Sequence, residues 1–182
     1  MTSPFDRAVA LITRTVQSVD RDSASPLRKF QHKGIYAAFN RLIGLAIPFV
    51  RRNRFEVLDV KPGYLKARVA LRGNKNHMGT MYAGAMFLLA EIPGGVITIF
   101  EFGPNYVPVL KELTMTYLKL AKSDLTIEFS LTRERLDEIR READENGKSE
   151  FSLKADLRDI NGETVAQSVG YYQVRRKDAH RT

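Results

Sequence analysis

One carboxylate, Glu91, stands inside a long apolar segment and is the first candidate for chemistry in this sequence. An acid among apolar neighbours is costly to keep ionised unless a cation pairs with it or its pKa rises. Steps of four, three and four residues separate Gly84, Leu88, Glu91 and Gly95, which therefore share one face of a predicted helix. The two glycines beside the carboxylate would leave open space for a substrate.

The start of the same helix, near Tyr82 to Gly84, is a second candidate. The first turn of a helix has free backbone N–H groups and the positive end of the helix dipole, which together polarise a bound carbonyl oxygen. Glu91 follows about two turns later. The alternative is that the small residues only allow close packing against a sheet, with Glu91 reaching solvent or a lysine.

The residues before and within this helix carry a family resemblance. In order, the chain has Asn76, Gly79-Thr80, Gly84 and Leu89-Ala90-Glu91. This order and spacing resemble the signature of hotdog-fold acyl-thioester hydrolases of the phenylacetate-degradation type. Where that family has His-Gly-Gly beside the reacting carbonyl, this chain has Tyr82-Ala83-Gly84, as in a divergent branch. The resemblance extends loosely from Phe55 to Lys177.

The resemblance implies hydrolysis of an acyl thioester of coenzyme A or of an acyl carrier, within fatty acid metabolism, and implies neither a cofactor nor a metal. Glu91 would activate a water molecule or attack the thioester itself. The N–H groups of Ala83 and Gly84 would hold the oxyanion, and Asn76 would bind the thioester or the water. The substrate-binding positions would be Gly79, Thr80, Tyr82, Leu88, Gly95 and Leu110.

Two other functions remain open at this point. A non-catalytic module that binds acyl chains or acyl-coenzyme A on the same fold is favoured by the missing His-Gly-Gly. A hydratase or dehydratase is also compatible with the fold, although such sites usually pair a His with an acid, and His77 is not placed for that role. Fold alone does not decide among these functions.

The elements that must position these residues form an α+β pattern. The sequence predicts a helix from Ser3, a second helix from Pro26 that ends or kinks at Pro48, and the central helix up to Gly103. Six strands are predicted, over residues 55–60, 64–71, 109–120, 125–132, 150–159 and 163–175. A charged helix over 134–145 is predicted between the fourth and the fifth strand. The resemblance implies a hotdog fold in which two or more copies pair. The predicted divisions are a basic helical extension (1–54), a hotdog domain (55–177) and a polar tail (178–182).

Composition narrows the possible partners. The chain has 182 residues, no Cys and three scattered histidines, which excludes disulfides and shows no metal-ligand spacing. The formal charge is +8, and residues 1–54 hold ten Lys or Arg against three Asp or Glu, a net of +7. Such a segment could attract coenzyme A phosphates, an acidic carrier or a membrane surface, or could simply be solvated.

The sequence also carries negative indications. No nucleic-acid signature is present. The apolar run from Ala83 to Phe100 approaches the length of a membrane span, but Glu91 and an expected break at Pro93-Gly94-Gly95 argue against a transmembrane segment. We therefore expect a soluble cytoplasmic protein.

Overall fold

Six antiparallel strands surround one long helix in the computed structural model, which describes residues 26–177. The strands lie in the order β1-β2-β4-β5-β6-β3. The predicted α+β architecture is confirmed. The elements are α1 (Pro26–Ala46), α2 (Pro48–Arg52), β1 (Phe55–Lys61), β2 (Tyr64–Val69), α3 (Ala83–Phe102), β3 (Tyr106–Tyr117), β4 (Leu125–Ser130), α4 (Arg133–Asn146), β5 (Lys148–Arg158) and β6 (Thr164–Arg176).

The central helix α3 runs through Pro93-Gly94-Gly95 without interruption, so the predicted break there is wrong. Its backbone lies directly on the ring of Tyr172 from β6, because a Cβ added at Gly94 would come 2.2 Å from Tyr172 Cε1. The Tyr172 hydroxyl donates to the carbonyl oxygens of Ala90, at 3.1 Å, and of Glu91, at 3.0 Å. This packing against β6 outweighs the low helix propensity of the Pro-Gly-Gly sequence.

Helix α3 is the core element of the sheet. By length and composition it could cross a membrane, and no other described helix passes that test, but most of its residues are buried within the protein. Leu89 and Ile97, for example, are fully covered by the strands. The core helix of a globular domain commonly has this composition.

Helix α1 ends at Ala46, which confirms the boundary predicted at Pro48, and Pro48 itself begins the short helix α2 after Ile47. Helix α1 covers the outer edge of β1. The Asn40 side chain accepts the N–H of Val57 at 2.7 Å and donates to its carbonyl oxygen at 2.9 Å, as a neighbouring strand would. No element among residues 26–177 pairs with the outer edge of β3. One edge of the sheet is thus closed by the chain itself, and the other is open.

Strand β3 was predicted over residues 109–120, and both its first and its last residue lie three positions earlier in the structure. The reason is that its pairing with β6 begins at Tyr106 and ends at Tyr117. The predicted end of α4 and the predicted turn of the last hairpin are confirmed. Each has a glycine in the left-handed region, Gly147 at φ 73° and Gly162 at φ 80°. The helix predicted from Ser3 and the polar tail 178–182 lie outside the described residues.

Candidate functional site

An apolar cavity of about 260 Å³ lies between α1, α3, β3 and β6. Among the described residues that line it, Glu91 is the one that carries a charge. Helix α1 contributes Phe39 and Ile43, which are four residues apart and therefore share one helix face, and Ile47 joins them from the junction that follows α1. Helix α1 precedes the stretch that carries the family resemblance, and it forms one wall of the cavity beside Glu91.

The Glu91 carboxyl is half-buried, and burial raises its pKa above the ordinary value of 4.5. Among the side chains that the structure describes, no Lys or Arg forms an ion pair with it. Loss of water around the carboxylate is therefore not offset by a nearby positive charge. A carboxyl group with these properties is suited to proton transfer near neutral pH.

Three predicted site residues meet at this cavity, namely Glu91, Gly95 and Leu110. Gly95 keeps the space open, since a Cβ placed there would find only Pro108 Cγ, at 3.8 Å. Leu88 does not join them. It is 2% exposed and points into the core, whereas Phe87 is 39% exposed. Phe87 and Leu88 follow Gly84 by three and by four residues, and either spacing fits a shared helix face. The position of the sheet determines which of the two side chains is buried.

At the N-terminal start of α3, the predicted oxyanion-binding groups are exposed. The N–H groups of Ala83 and Gly84 have no hydrogen-bond acceptor among the described residues, and the N-cap residue Tyr82 provides no side-chain cap. The Tyr82 ring instead lies over Gly84, where a Cβ would come 2.7 Å from Tyr82 Cε1. Two donors at the positive end of the helix dipole are therefore open to an incoming oxygen.

The loop before α3 is held together by Asn76 and Thr80. The Asn76 side-chain oxygen accepts the N–H groups of Met78, at 2.9 Å, and Thr80, at 3.1 Å, while its nitrogen lies 2.9 Å from Thr80 Oγ1. Gly79 completes the turn with φ 77°. The structure thus places Asn76, Gly79 and Thr80 where they shape the approach to the helix start. The half-buried Asn76 amide has a second N–H beyond the bond to Thr80.

The two groups of site residues are separated along the helix. Gly84 and Glu91 are seven residues apart, which is about 10 Å along the axis. The reacting atoms of a thioester must lie roughly 3 Å from both the catalytic group and the oxyanion donors. Within this chain, the helix start and the cavity therefore hold two separate groups of predicted site residues. Among the described residues, no cluster of His, Asp or Glu is arranged to hold a metal ion.

Sequence reasoning missed two contributions to this site. Tyr172 supports the backbone of Ala90 and Glu91, and burial followed by the charge of Glu91 raises the pKa of its hydroxyl. Phe39 and Ile43 of the α1 wall are four residues apart in the sequence, but such a spacing does not show what the helix packs against. A tyrosine in an alternating strand gives no sequence signal for a contact with a helix 80 residues away.

Comparison with known proteins places this geometry in a family. The model of a family described as a domain of unknown function (DUF4442) matches residues 36–172. A search of the curated proteins finds no match. A solved structure from Pseudomonas aeruginosa, described as a protein of unknown function and probable thioesterase, is 39% identical. It is similar over 75% of this chain and 93% of that chain, with a TM-score of 0.70.

Two more distant structures share the fold. A thioesterase from Haemophilus influenzae is 14% identical, with a TM-score of 0.63 over 81% of this chain and 94% of its own. A thioesterase from Staphylococcus aureus is 13% identical, with a TM-score of 0.57 over 70% of this chain and 98% of its own. The sheet and central helix described above are therefore those of the hotdog fold, and the chain belongs to the DUF4442 family.

Proposed function

We propose that this protein hydrolyses acyl thioesters, with acyl-coenzyme A as the simplest substrate. The observation that carries the proposal is the half-buried Glu91 carboxyl, which has no cationic partner among the described side chains and lines an apolar cavity. The name of the Pseudomonas aeruginosa relative supports the same reaction. A carboxyl group of raised pKa beside an apolar pocket is a typical arrangement for acid–base catalysis.

In the proposed reaction, the ionised Glu91 takes a proton from a water molecule, whose oxygen attacks the thioester carbonyl carbon. The carbonyl oxygen becomes an oxyanion that accepts hydrogen bonds from the N–H groups of Ala83 and Gly84. The C–S bond then breaks, and the thiolate takes up the proton held by Glu91. Direct attack by Glu91 on the carbonyl carbon is the other route, with water hydrolysing the resulting anhydride.

The acyl group would occupy the cavity. An apolar cavity of roughly 150 Å³ holds a benzene ring. The cavity here, of about 260 Å³, has room for an aryl group or a short acyl chain beside Glu91. This capacity fits the phenylacetate-degradation branch that the loop and helix residues resemble, and we propose membership of that branch.

Two copies of the chain would complete the site. Strand β3 is twelve residues long and has an open outer edge among the described residues, where a second β3 can continue the sheet. Exposed apolar side chains also lie near this edge and the start of α3, including Tyr82, Tyr117 and Leu118. A two-fold axis that sets the two α3 helices antiparallel would bring the N-terminus of one next to Glu91 of the other.

A non-catalytic acyl-binding protein is the second candidate. The observation in its favour is Tyr82, whose ring covers Gly84 at the position where the family has a His. A ring in this position would crowd a carbonyl oxygen that approaches the N–H of Gly84. Because Tyr82 is exposed, we propose that it moves aside when substrate binds.

The substitution Glu91→Gln tests the proposed function. It keeps the shape of the side chain but removes the base, so thiol release from acyl-coenzyme A substrates should fall ~10²–10⁴-fold. The melting temperature should hold or rise, because an amide replaces a poorly solvated carboxylate. Glu101→Gln is the matched control, since Glu101 is also a half-buried acid of α3 and its pKa is also raised by burial.

Glu101 lies outside the cavity and accepts the Gly63 N–H at 2.6 Å. Its replacement should therefore lower stability by about 1 kcal/mol and leave turnover unchanged. A Glu91→Gln protein that melts earlier but hydrolyses thioesters at the wild-type rate would contradict the proposal. Binding of acyl-coenzyme A without thiol release by the wild-type protein would favour the non-catalytic candidate.

A further inference from the structure

The junction of α1 and α2 exposes large apolar side chains next to arginines. We name as the elbow surface the residues Arg41, Leu45, Ile47, Phe49, Arg51 and Arg52. Leu45 is 60% exposed, Phe49 58% and Ile47 42%. Phe49 lies in the short helix that begins at Pro48, and its side chain is exposed there. Three exposed apolar residues within five positions form a patch rather than scattered surface positions.

Packing keeps the elbow surface together. Gly44 allows α2 to fold against the last turn of α1, since a Cβ added there would come 3.1 Å from Arg51 Cβ. Arg41 and Leu45 lie one helical turn apart, as do Phe49 and Arg52, so Leu45 and Phe49 each have an arginine on their own helix face. The basic and apolar side chains are therefore presented side by side.

The charge of this region is of one sign. Residues 26–54 contain no Asp or Glu. Within the described part of the chain, none of Arg41, Arg51 and Arg52 forms an ion pair, whereas Lys119 near the open edge pairs with Glu163. A second copy of the elbow surface would place arginines against arginines, which disfavours self-association here. An anionic partner with an apolar interior fits both kinds of side chain.

We infer that the elbow surface docks on an anionic lipid bilayer. Arginines attract the acidic headgroups, and the exposed Leu45, Ile47 and Phe49 enter the boundary between headgroups and acyl chains, as in interfacial helices. An acidic carrier protein could pair its carboxylates with the arginines, but it would offer no acyl chains in which these apolar side chains could be buried. Ile47 belongs both to the elbow surface and to the cavity lining. Docking would therefore bring Ile47, and with it one wall of the cavity, into contact with the acyl-chain region of the membrane.

Co-sedimentation of the full-length protein with vesicles tests this inference. Vesicles of phosphatidylcholine mixed with phosphatidylglycerol should bind the protein, vesicles of phosphatidylcholine alone should not, and salt should weaken binding. Arg51→Gln with Arg52→Gln should weaken partitioning roughly 30-fold, because each basic residue at an anionic surface contributes a factor of about five. Phe49→Ser should also weaken it at unchanged charge.

Arg141→Gln with Lys148→Gln is the matched control, since it removes the same charge from exposed positions on α4 and β5. Equal losses in the two double variants would overturn the inference in favour of general charge attraction. No binding to anionic vesicles would overturn it as well, and so would a lowered melting temperature of Phe49→Ser without a change in vesicle binding, since the patch would then be covered by the chain itself. Glu91→Gln should bind vesicles like the wild type, so docking is tested separately from hydrolysis.

Discussion

The start and the middle of helix α3 differ in exposure and in packing. At the start, Ala83 and Gly84 are exposed, their N–H groups have no acceptor among the described residues, and the ring of Tyr82 lies beside Gly84. About two to three turns later, the backbone at Gly94 presses against the buried ring of Tyr172, and Glu91 lines an apolar cavity. The same helix is therefore a surface at its start and part of the structural core at its middle.

This difference separates positions that stabilise the fold from positions available to a ligand. An exposed helix start has little to lose from substitution except a binding function. A helix backbone packed on an aromatic ring cannot accept even one methyl group without movement. Substitution of glycines along α3 should consequently separate effects on activity from effects on stability.

Among the glycine substitutions, the largest effect is expected at Gly84. Gly84→Val puts two methyl groups in front of the proposed oxyanion donors, and kcat/KM for acyl thioesters should fall roughly 10²-fold, the lower range for loss of one such donor. Because a Cβ there meets only the exposed ring of Tyr82, the melting temperature should stay within a few degrees. Unchanged turnover in this variant would show that the helix start takes no part in the reaction.

Gly94 should show the opposite behaviour. Gly94→Ala forces a methyl group toward Tyr172 Cε1, and overpacking of this kind should lower the free energy of unfolding by about 1–3 kcal/mol in denaturant titrations. Gly95→Ala is the control on the neighbouring residue. Its Cβ has room, so stability should be equal or up to about 1 kcal/mol higher, while the narrowed cavity should raise KM. Equal stabilities of the two variants would contradict the packing described at Gly94.

The smallest expected effect is the pH dependence of stability. Burial raises the folded-state pKa of Glu91 above 4.5, so the folded protein holds this proton to higher pH than the unfolded chain does. The wild type should therefore lose stability relative to Glu91→Gln as pH rises from 4.5 through the folded-state pKa, and the difference should be constant at higher pH. Melting temperatures of both proteins across this range measure it. A wild type that gains stability relative to Glu91→Gln in this range would mean that Glu91 has a cationic partner.

Local signals in the sequence were sufficient for much of the fold. The structure confirms the helix ends predicted at Gly103 and Gly147, the helix boundary at Pro48 and the turn at Asn161-Gly162. Each of these signals acts through the conformation of one or two residues. Glu91, Gly95 and Leu110 were brought together by a family pattern and a helix spacing. These features depend on short stretches of chain.

Contacts between distant elements explain the errors. Pro93-Gly94-Gly95 predicted a break because propensity does not include the ring of Tyr172. Leu88 was placed on the open face because the spacing fits it as well as Phe87, and only the strands decide which side is covered. The role of α1 as a cavity wall depends on its position across β1, which Asn40 and Tyr36 fix through hydrogen bonds to that strand.

The central claim is that one functional site takes the start of α3 from one copy and Glu91 from another. Mixing Glu91→Gln with Gly84→Val subunits, after denaturation and joint refolding, tests it directly. Each mixed dimer would contain one site with both groups intact. With random pairing, the mixture should recover about a quarter of wild-type activity, although each variant alone is nearly inactive. A mixture no more active than the average of the two separate variants would contradict the account.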